Sequence, residues 1–67
     1  MTKQKIIEQV MAIRDTGRVN MCLAPAVQLV AYEMGYYALV LWIEEHKKIY
    51  WNFIMTGQFD YEEEDAE

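Results

Sequence analysis

The sequence has few of the residues that enzymes use for nucleophilic or metal-dependent chemistry. Serine is absent, and cysteine and histidine occur once each, as Cys22 and His46. A single cysteine excludes a disulfide within one chain, and one histidine beside it gives no zinc-ligand spacing. We therefore expect no enzyme activity, no metal and no cofactor. We interpret Cys22 as a buried or half-buried small apolar residue, and His46 as a core-edge histidine bonded to a backbone or carboxylate partner.

Long apolar runs and targeting signals are also missing. The longest apolar run, residues 36–43, is far shorter than the roughly 20 residues of a membrane span. The first residues, Met1 to Lys5, do not have the pattern of a signal peptide. The three glycines are spread along the chain and form no phosphate-binding loop. We expect a cytoplasmic protein that does not contact a membrane.

Apolar residues, by contrast, are abundant for so short a chain. Hydrophobic residues make up 54% of the 67 residues, and 13% are aromatic. A single domain of this size buries only about 60% of the surface that its unfolded chain exposes, so its core is marginal. Small domains without disulfides or metals often compensate by association. We therefore expect a homodimer or another homo-oligomer.

The pattern of apolar residues and caps predicts an all-α fold. Three helices are expected, over about residues 3–15, 25–34 and 36–55, as a compact three-helix assembly with a long C-terminal helix. Thr2 suits an N-cap, Pro25 suits a first helical turn, and each of the three glycines follows a predicted helix. The helical domain is predicted to span residues 1–59.

The end of the chain is strongly acidic. The formal charge is −5, yet residues 60–67 hold six carboxylates and no base, so residues 1–59 carry a formal charge of +1. Runs of like charge repel one another and seldom fold alone, so we predict a disordered acidic tail over residues 60–67. The tail either only solvates the domain or binds a basic partner surface, with weaker binding at high salt.

The predicted third helix has more apolar surface than two short helices can cover. Its apolar arc spans roughly 200°, about twice the stripe of an ordinary surface helix. Tryptophan and tyrosine are enriched at protein interfaces, so Trp42 and Trp51 are interpreted as interface residues, with core packing as the alternative. The candidate protein-binding residues are Leu41, Trp42, Ile49, Trp51, Phe59, Asp60, Tyr61, Glu62, Glu63, Glu64 and Asp65.

Nucleic-acid binding is weakly indicated. The spacing of Ala31, Gly35 and Leu41 is similar to that of a helix-turn-helix. The second helix of this motif would have to present Tyr37, Trp42 and their neighbours to the DNA, and these side chains do not read base edges. The six basic residues are scattered along the chain. We expect no direct contact with nucleic acid.

Several segments together resemble a family of very small proteins of unknown function, encoded in phages and prophages of Firmicutes. They are Thr2–Gln9, Ala12–Gly17, Asn20–Met21, Ala26–Gln28, Ala31–Gly35, Ile43–His46 and Phe53–Gly57. The resemblance implies a phage accessory protein acting in the cytoplasm of a bacterial host cell. It assigns no catalytic or binding residue. The acidic tail and the two tryptophans lie outside the family pattern.

These observations predict a non-enzymatic protein-binding module. The leading hypothesis is an inhibitor of a host nuclease or defence effector, similar to anti-CRISPR proteins. The alternative is a homodimeric structural or assembly factor of the phage, with the third helix as its seam. A DNA-binding regulator ranks third.

Overall fold

The computed structural model describes residues 1–61, and these residues form four helices and no strand. The helices are α1 (Lys3–Thr16), α2 (Ala24–Glu33), α3 (Tyr37–Glu45) and α4 (Lys47–Thr56). The prediction of an all-α fold is confirmed for this part of the chain. Within it, no helix is long and apolar enough to cross a membrane. The predicted disorder of residues 62–67 lies outside the described residues.

Helix α1 has the predicted caps. The Lys5 backbone N–H donates to Thr2 Oγ1 at 3.1 Å, and Gly17 adopts the left-handed conformation (φ +67°) that ends the helix. Ile6, Val10 and Ile13 lie on one face of α1 and are fully buried. Their spacing of three and four residues places them on the same side of the helix, towards the core.

Helices α2 and α3 form a hairpin with a three-residue connection, Met34 to Tyr36. Gly35 has a φ of +83°, and the Tyr36 N–H donates to the Ala31 carbonyl at 2.8 Å. Gln28 of α2 joins the two helices, because its Nε2 donates to the Val40 carbonyl at 3.0 Å. The hairpin is thereby held by backbone and side-chain hydrogen bonds as well as by packing.

The prediction of one long C-terminal helix is wrong, because the helix is interrupted at His46. His46 has φ −133° and ψ +46°, outside the helical region, and separates α3 from α4. A straight helix of 20 residues would be about 30 Å long, whereas α1 and α2 would span only about 20 and 15 Å. Beyond the break, Tyr50 of α4 lies in the core and is only 1% exposed. Residues 1–61 therefore form four helices, where the sequence predicted three.

One core unites all four helices. It is built from the buried residues Ile6, Val10, Ile13, Val27, Val30, Ala31, Leu39, Trp42, Ile43, Tyr50 and Tyr61. The Tyr50 hydroxyl donates to the Met21 carbonyl at 2.8 Å, which ties α4 to the connector between α1 and α2. This bond satisfies the polar end of a ring that is otherwise enclosed by apolar groups.

Candidate protein-binding site

Trp51 projects from α4 and is 54% exposed. Together with Lys48, Ile49, Asn52 and Asp60 it lines an open groove, here called the Trp51 groove. The Asn52 side-chain amide donates to the Asp60 carboxylate at 3.4 Å, so the C-terminal segment forms one wall of the groove. Three residues predicted from the sequence as protein-binding, Ile49, Trp51 and Asp60, are thus brought together. A large, exposed aromatic ring beside charged groups can anchor a partner protein.

Trp42, in contrast, lies in the core and is only 4% exposed. Its indole stacks on the His46 ring at a centroid distance of 4.9 Å and meets the Tyr61 ring edge-on at 5.2 Å. Of the two interpretations of Trp42, core packing describes its place in the structure. Almost none of the Trp42 ring is therefore available to a partner in this conformation.

Residues 58–61 form a strap that closes the aromatic end of the core. The Phe59 ring contacts the Phe53 and Trp42 rings, at centroid distances of 5.0 Å and 5.7 Å. Tyr61 is only 6% exposed. The strap therefore includes Asp60 and Tyr61, which follow the helical domain predicted over residues 1–59. Phe59 and Tyr61, both predicted as protein-binding residues, pack against the core, and their binding role stays a prediction. Glu62, Glu63, Glu64 and Asp65 lie outside the described residues.

Leu41 is 64% exposed and lies on a second surface, on the outer side of the α2–α3 hairpin. With Leu29, Tyr32 and Tyr37 it makes up what we call the α2–α3 face, and all four side chains are exposed. The Tyr32 and Tyr37 rings contact each other at a centroid distance of 5.2 Å across the two helices. Of these residues, only Leu41 is among the predicted binding residues. Leu29 and Tyr32 of α2 and Tyr37 of α3 were not among them, because the prediction followed the two tryptophans and the acidic end of the chain.

The sequence feature that indicates the α2–α3 face is a low content of charged residues in this part of the chain. From Val19 to Ile43 the sequence contains one charged residue, Glu33. Glu33 forms an ion pair with Arg18, at the edge of the hairpin. A helix that is apolar on its outer side as well as its inner side is typically covered by another surface.

Cys22 and His46 have separate surroundings. Cys22 is exposed, against the prediction of a buried or half-buried residue, and its Sγ lies 3.7 Å from Met55 Sδ. The half-buried His46 fits the core-edge prediction: its Nδ1 lies 2.9 Å from the Trp42 carbonyl. Since a carbonyl oxygen only accepts hydrogen bonds, Nδ1 carries the proton.

Among residues 1–61, two groups have shifted pKa values, and both shifts have structural causes. A hydrogen bond from Gln28, and then the nearby Lys47 ammonium, lower the pKa of the exposed Glu44 carboxyl. Burial, with a smaller effect of Cys22, raises the pKa of the Tyr50 hydroxyl to about 12. Within residues 1–61 no group of three His, Cys, Asp or Glu side chains is placed to hold a metal ion. The expectation of no enzyme activity stays a prediction.

Comparison with known proteins places the chain in a family. No curated protein matches the sequence, and no solved structure matches the fold. The family described as Domain of unknown function (DUF5049) matches residues 1–58, which include all four helices. The match ends before Tyr61, so the acidic end of the chain is outside the matched region. The chain belongs to this family, DUF5049.

Proposed function

We propose that the chain is a non-catalytic, phage-encoded module that binds a partner protein through the Trp51 groove. The exposed Trp51 ring carries this proposal. An unburied tryptophan on a folded helix leaves a large apolar area in water, and such residues dominate the binding energy of many interfaces. Trp51 has an apolar neighbour in Ile49 and charged groups in Lys48 and Asp60, which is the composition of an interface centre with a polar rim.

The acidic end of the chain suggests the chemistry of the partner. Asp60 is exposed at the wall of the groove, and five more carboxylates follow within residues 62–67. A partner with a basic surface would be attracted by this charge, and the attraction would speed association and weaken with salt. Surfaces that bind nucleic-acid phosphates are basic. A host nuclease or a nucleic-acid-guided defence effector is therefore the proposed target, and inhibition similar to that by anti-CRISPR proteins is the proposed outcome.

Direct DNA binding receives no support from the arrangement of the basic residues. Four of the six form ion pairs with carboxylates of the same chain: Lys5 with Glu8, Arg14 with Asp15, Arg18 with Glu33 and Lys47 with Glu44. Binding to phosphates needs a cluster of available positive charge. A homodimeric assembly factor remains the second candidate function, and the exposed α2–α3 face favours it.

The proposal is tested by capture of partners from lysate of a bacterial host with four tagged forms of the chain. These are the wild type, Trp51→Ala, Met55→Ala and a chain that ends after Tyr61. Met55 is the matched control, because it is an exposed apolar residue on α4 that does not line the Trp51 groove. Ending the chain after Tyr61 removes five of the six carboxylates and keeps Asp60 and the strap, whereas an earlier end would expose Trp42.

Each captured protein is then purified and titrated with the four forms at low and high salt. We expect Trp51→Ala to weaken binding by about 10- to 100-fold, and Met55→Ala to change it by less than about threefold. The chain that ends after Tyr61 should bind more weakly at low salt and show less dependence on salt. Equal affinity of Trp51→Ala and wild type would contradict the proposal. Capture of phage structural proteins alone would favour the assembly factor.

A further inference from the structure

The α2–α3 face is preformed and does not need to fold when it binds. Gln28 connects α2 to α3 through the Val40 carbonyl and also donates to the Glu44 carboxylate at 3.3 Å. The Tyr32 and Tyr37 rings are in contact at 5.2 Å. Because these contacts fix the two helices to each other, a partner would meet a rigid surface and lose little conformational entropy on it.

The face has the area that a small dimer requires. Leu29, Tyr32, Tyr37 and Leu41 are each about 60% exposed, so their side chains leave roughly 500 Å² in water. If two such faces met, these side chains alone would bury about 1,000 Å² in total, which is the lower bound for a specific interface. Pro25 and Ala38, which are also exposed, lie on the same outer sides of α2 and α3 and would add to that area.

The charges of the chain favour a second copy as the occupant. The four residues of the α2–α3 face are uncharged, whereas the whole chain carries a formal charge of −5. Two copies approach most easily where few unpaired like charges face each other. Of the exposed carboxylates beside this face, Glu33 and Glu44 are paired with Arg18 and Lys47, which leaves Glu45 next to Leu41. A basic partner attracted by the acidic end of the chain would find no opposite charge among these residues.

We propose that the α2–α3 face is a homodimer interface, in which Leu29, Tyr32, Tyr37 and Leu41 of one chain pack against the same residues of a second copy. The pairing is isologous, with a twofold axis at the Tyr32–Tyr37 pair. The proposal goes beyond the function proposed above, because the Trp51 groove lies on α4 and is not part of this face. A dimer would carry two copies of the groove.

Sedimentation equilibrium of the full chain tests this interface, with a reducing agent present because Cys22 is exposed. Wild type, Leu29→Glu, Leu41→Glu and Met55→Glu are compared from about 1 µM to about 1 mM, a range that covers dissociation constants of weak and moderate dimers. Each variant adds one negative charge at an exposed apolar residue. Met55 is the control because it lies on α4, outside the face. Far-UV circular dichroism verifies that each variant is folded.

We expect the wild type and Met55→Glu to dimerise, and Leu29→Glu and Leu41→Glu to weaken the dimer by about 100-fold or more, since each change places two unpaired charges in one interface. Added salt should strengthen the wild-type dimer, because it screens repulsion between two acidic chains. A wild type that stays monomeric up to about 1 mM would overturn the dimer. So would a dimer that dissociates in Met55→Glu and persists in Leu41→Glu. Neither result would affect the Trp51 groove, which is tested by the titrations with purified partner.

Discussion

Replacing Tyr50 with phenylalanine removes one hydroxyl from a ring that is 1% exposed. That hydroxyl donates to the Met21 carbonyl at 2.8 Å, across 29 residues of sequence. The loss of one such hydrogen bond costs about 1 kcal/mol of unfolding free energy at neutral pH. For a domain of this size, that corresponds to a melting temperature about 4–8 °C lower.

The same substitution should have the opposite effect in strong alkali. Burial, and to a lesser extent Cys22, raises the pKa of Tyr50 from 10.0 to about 12, so the folded state holds the phenolic proton more tightly than the unfolded state. Its contribution to stability is therefore complete below pH 10 and is lost as the pH rises from 10 to about 12. At about 1.4 kcal/mol per pKa unit, the loss reaches about 2 kcal/mol by pH 12. Tyr50→Phe has no such loss.

Urea unfolding, followed by far-UV circular dichroism between pH 8 and pH 12, measures both effects. The experiment uses one low protein concentration, because self-association would make stability depend on concentration. Wild type should be the more stable form at pH 8, and Tyr50→Phe the more stable form at pH 12. Tyr36→Phe, which removes a hydroxyl from a half-buried ring, is the control and should follow the wild type. If the wild-type and Tyr50→Phe curves stay parallel over the whole range, the buried, hydrogen-bonded state of Tyr50 is refuted.

Further substitutions test the core, the hairpin and the strap. Trp42→Ala should cost about 3–5 kcal/mol, whereas Trp51→Ala should change the stability of the free chain by less than about 0.5 kcal/mol; equal effects in thermal unfolding would contradict their opposite burial. Gly35→Ala should cost about 1–2 kcal/mol through its positive φ alone, since no atom within 4 Å would meet the added Cβ, and an unchanged melting temperature would refute that conformation. Tyr61→Ala, in a Trp51→Phe background, should shift Trp42 fluorescence to longer wavelength, and an unchanged spectrum would show that the strap does not shield Trp42.

The ends of the helices were largely predictable because they depend on local chemistry. Thr2, Gly17 and Gly57 act where the sequence places them, since an N-cap hydroxyl and a left-handed glycine need only their own backbone neighbours. The buried face of α1 was equally predictable from the sequence, because Ile6, Val10 and Ile13 recur at the helical period.

The break at His46 was not predictable in the same way. No glycine or proline lies between Tyr36 and Thr56, so nothing local ends the helix there. The structure instead gains from the break through tertiary contacts, such as the hydrogen bond from the Tyr50 hydroxyl to the Met21 carbonyl. Such contacts join residues that sequence periodicity treats as independent.

The strap was missed for a related reason. Phe59 and Tyr61 flank Asp60 and precede a run of carboxylates, so composition assigns them to the tail. The aromatic rings are nevertheless close enough to the helix end to fold back onto Phe53 and Trp42. Composition averages over neighbouring residues, whereas burial is decided for each side chain.

The strap also bears on how the acidic residues would act in the proposed function. Tyr61 is held against Trp42 and His46, and Asp60 is bonded to Asn52 at the Trp51 groove. The carboxylates of residues 62–67 therefore start from a fixed point beside that groove. Charge tethered close to an apolar anchor acts at a high effective concentration once the anchor is bound. Tyr61→Ala should then weaken the binding of a basic partner at low salt even though every carboxylate is retained, whereas an affinity equal to that of the wild type would show that the fixed origin contributes nothing.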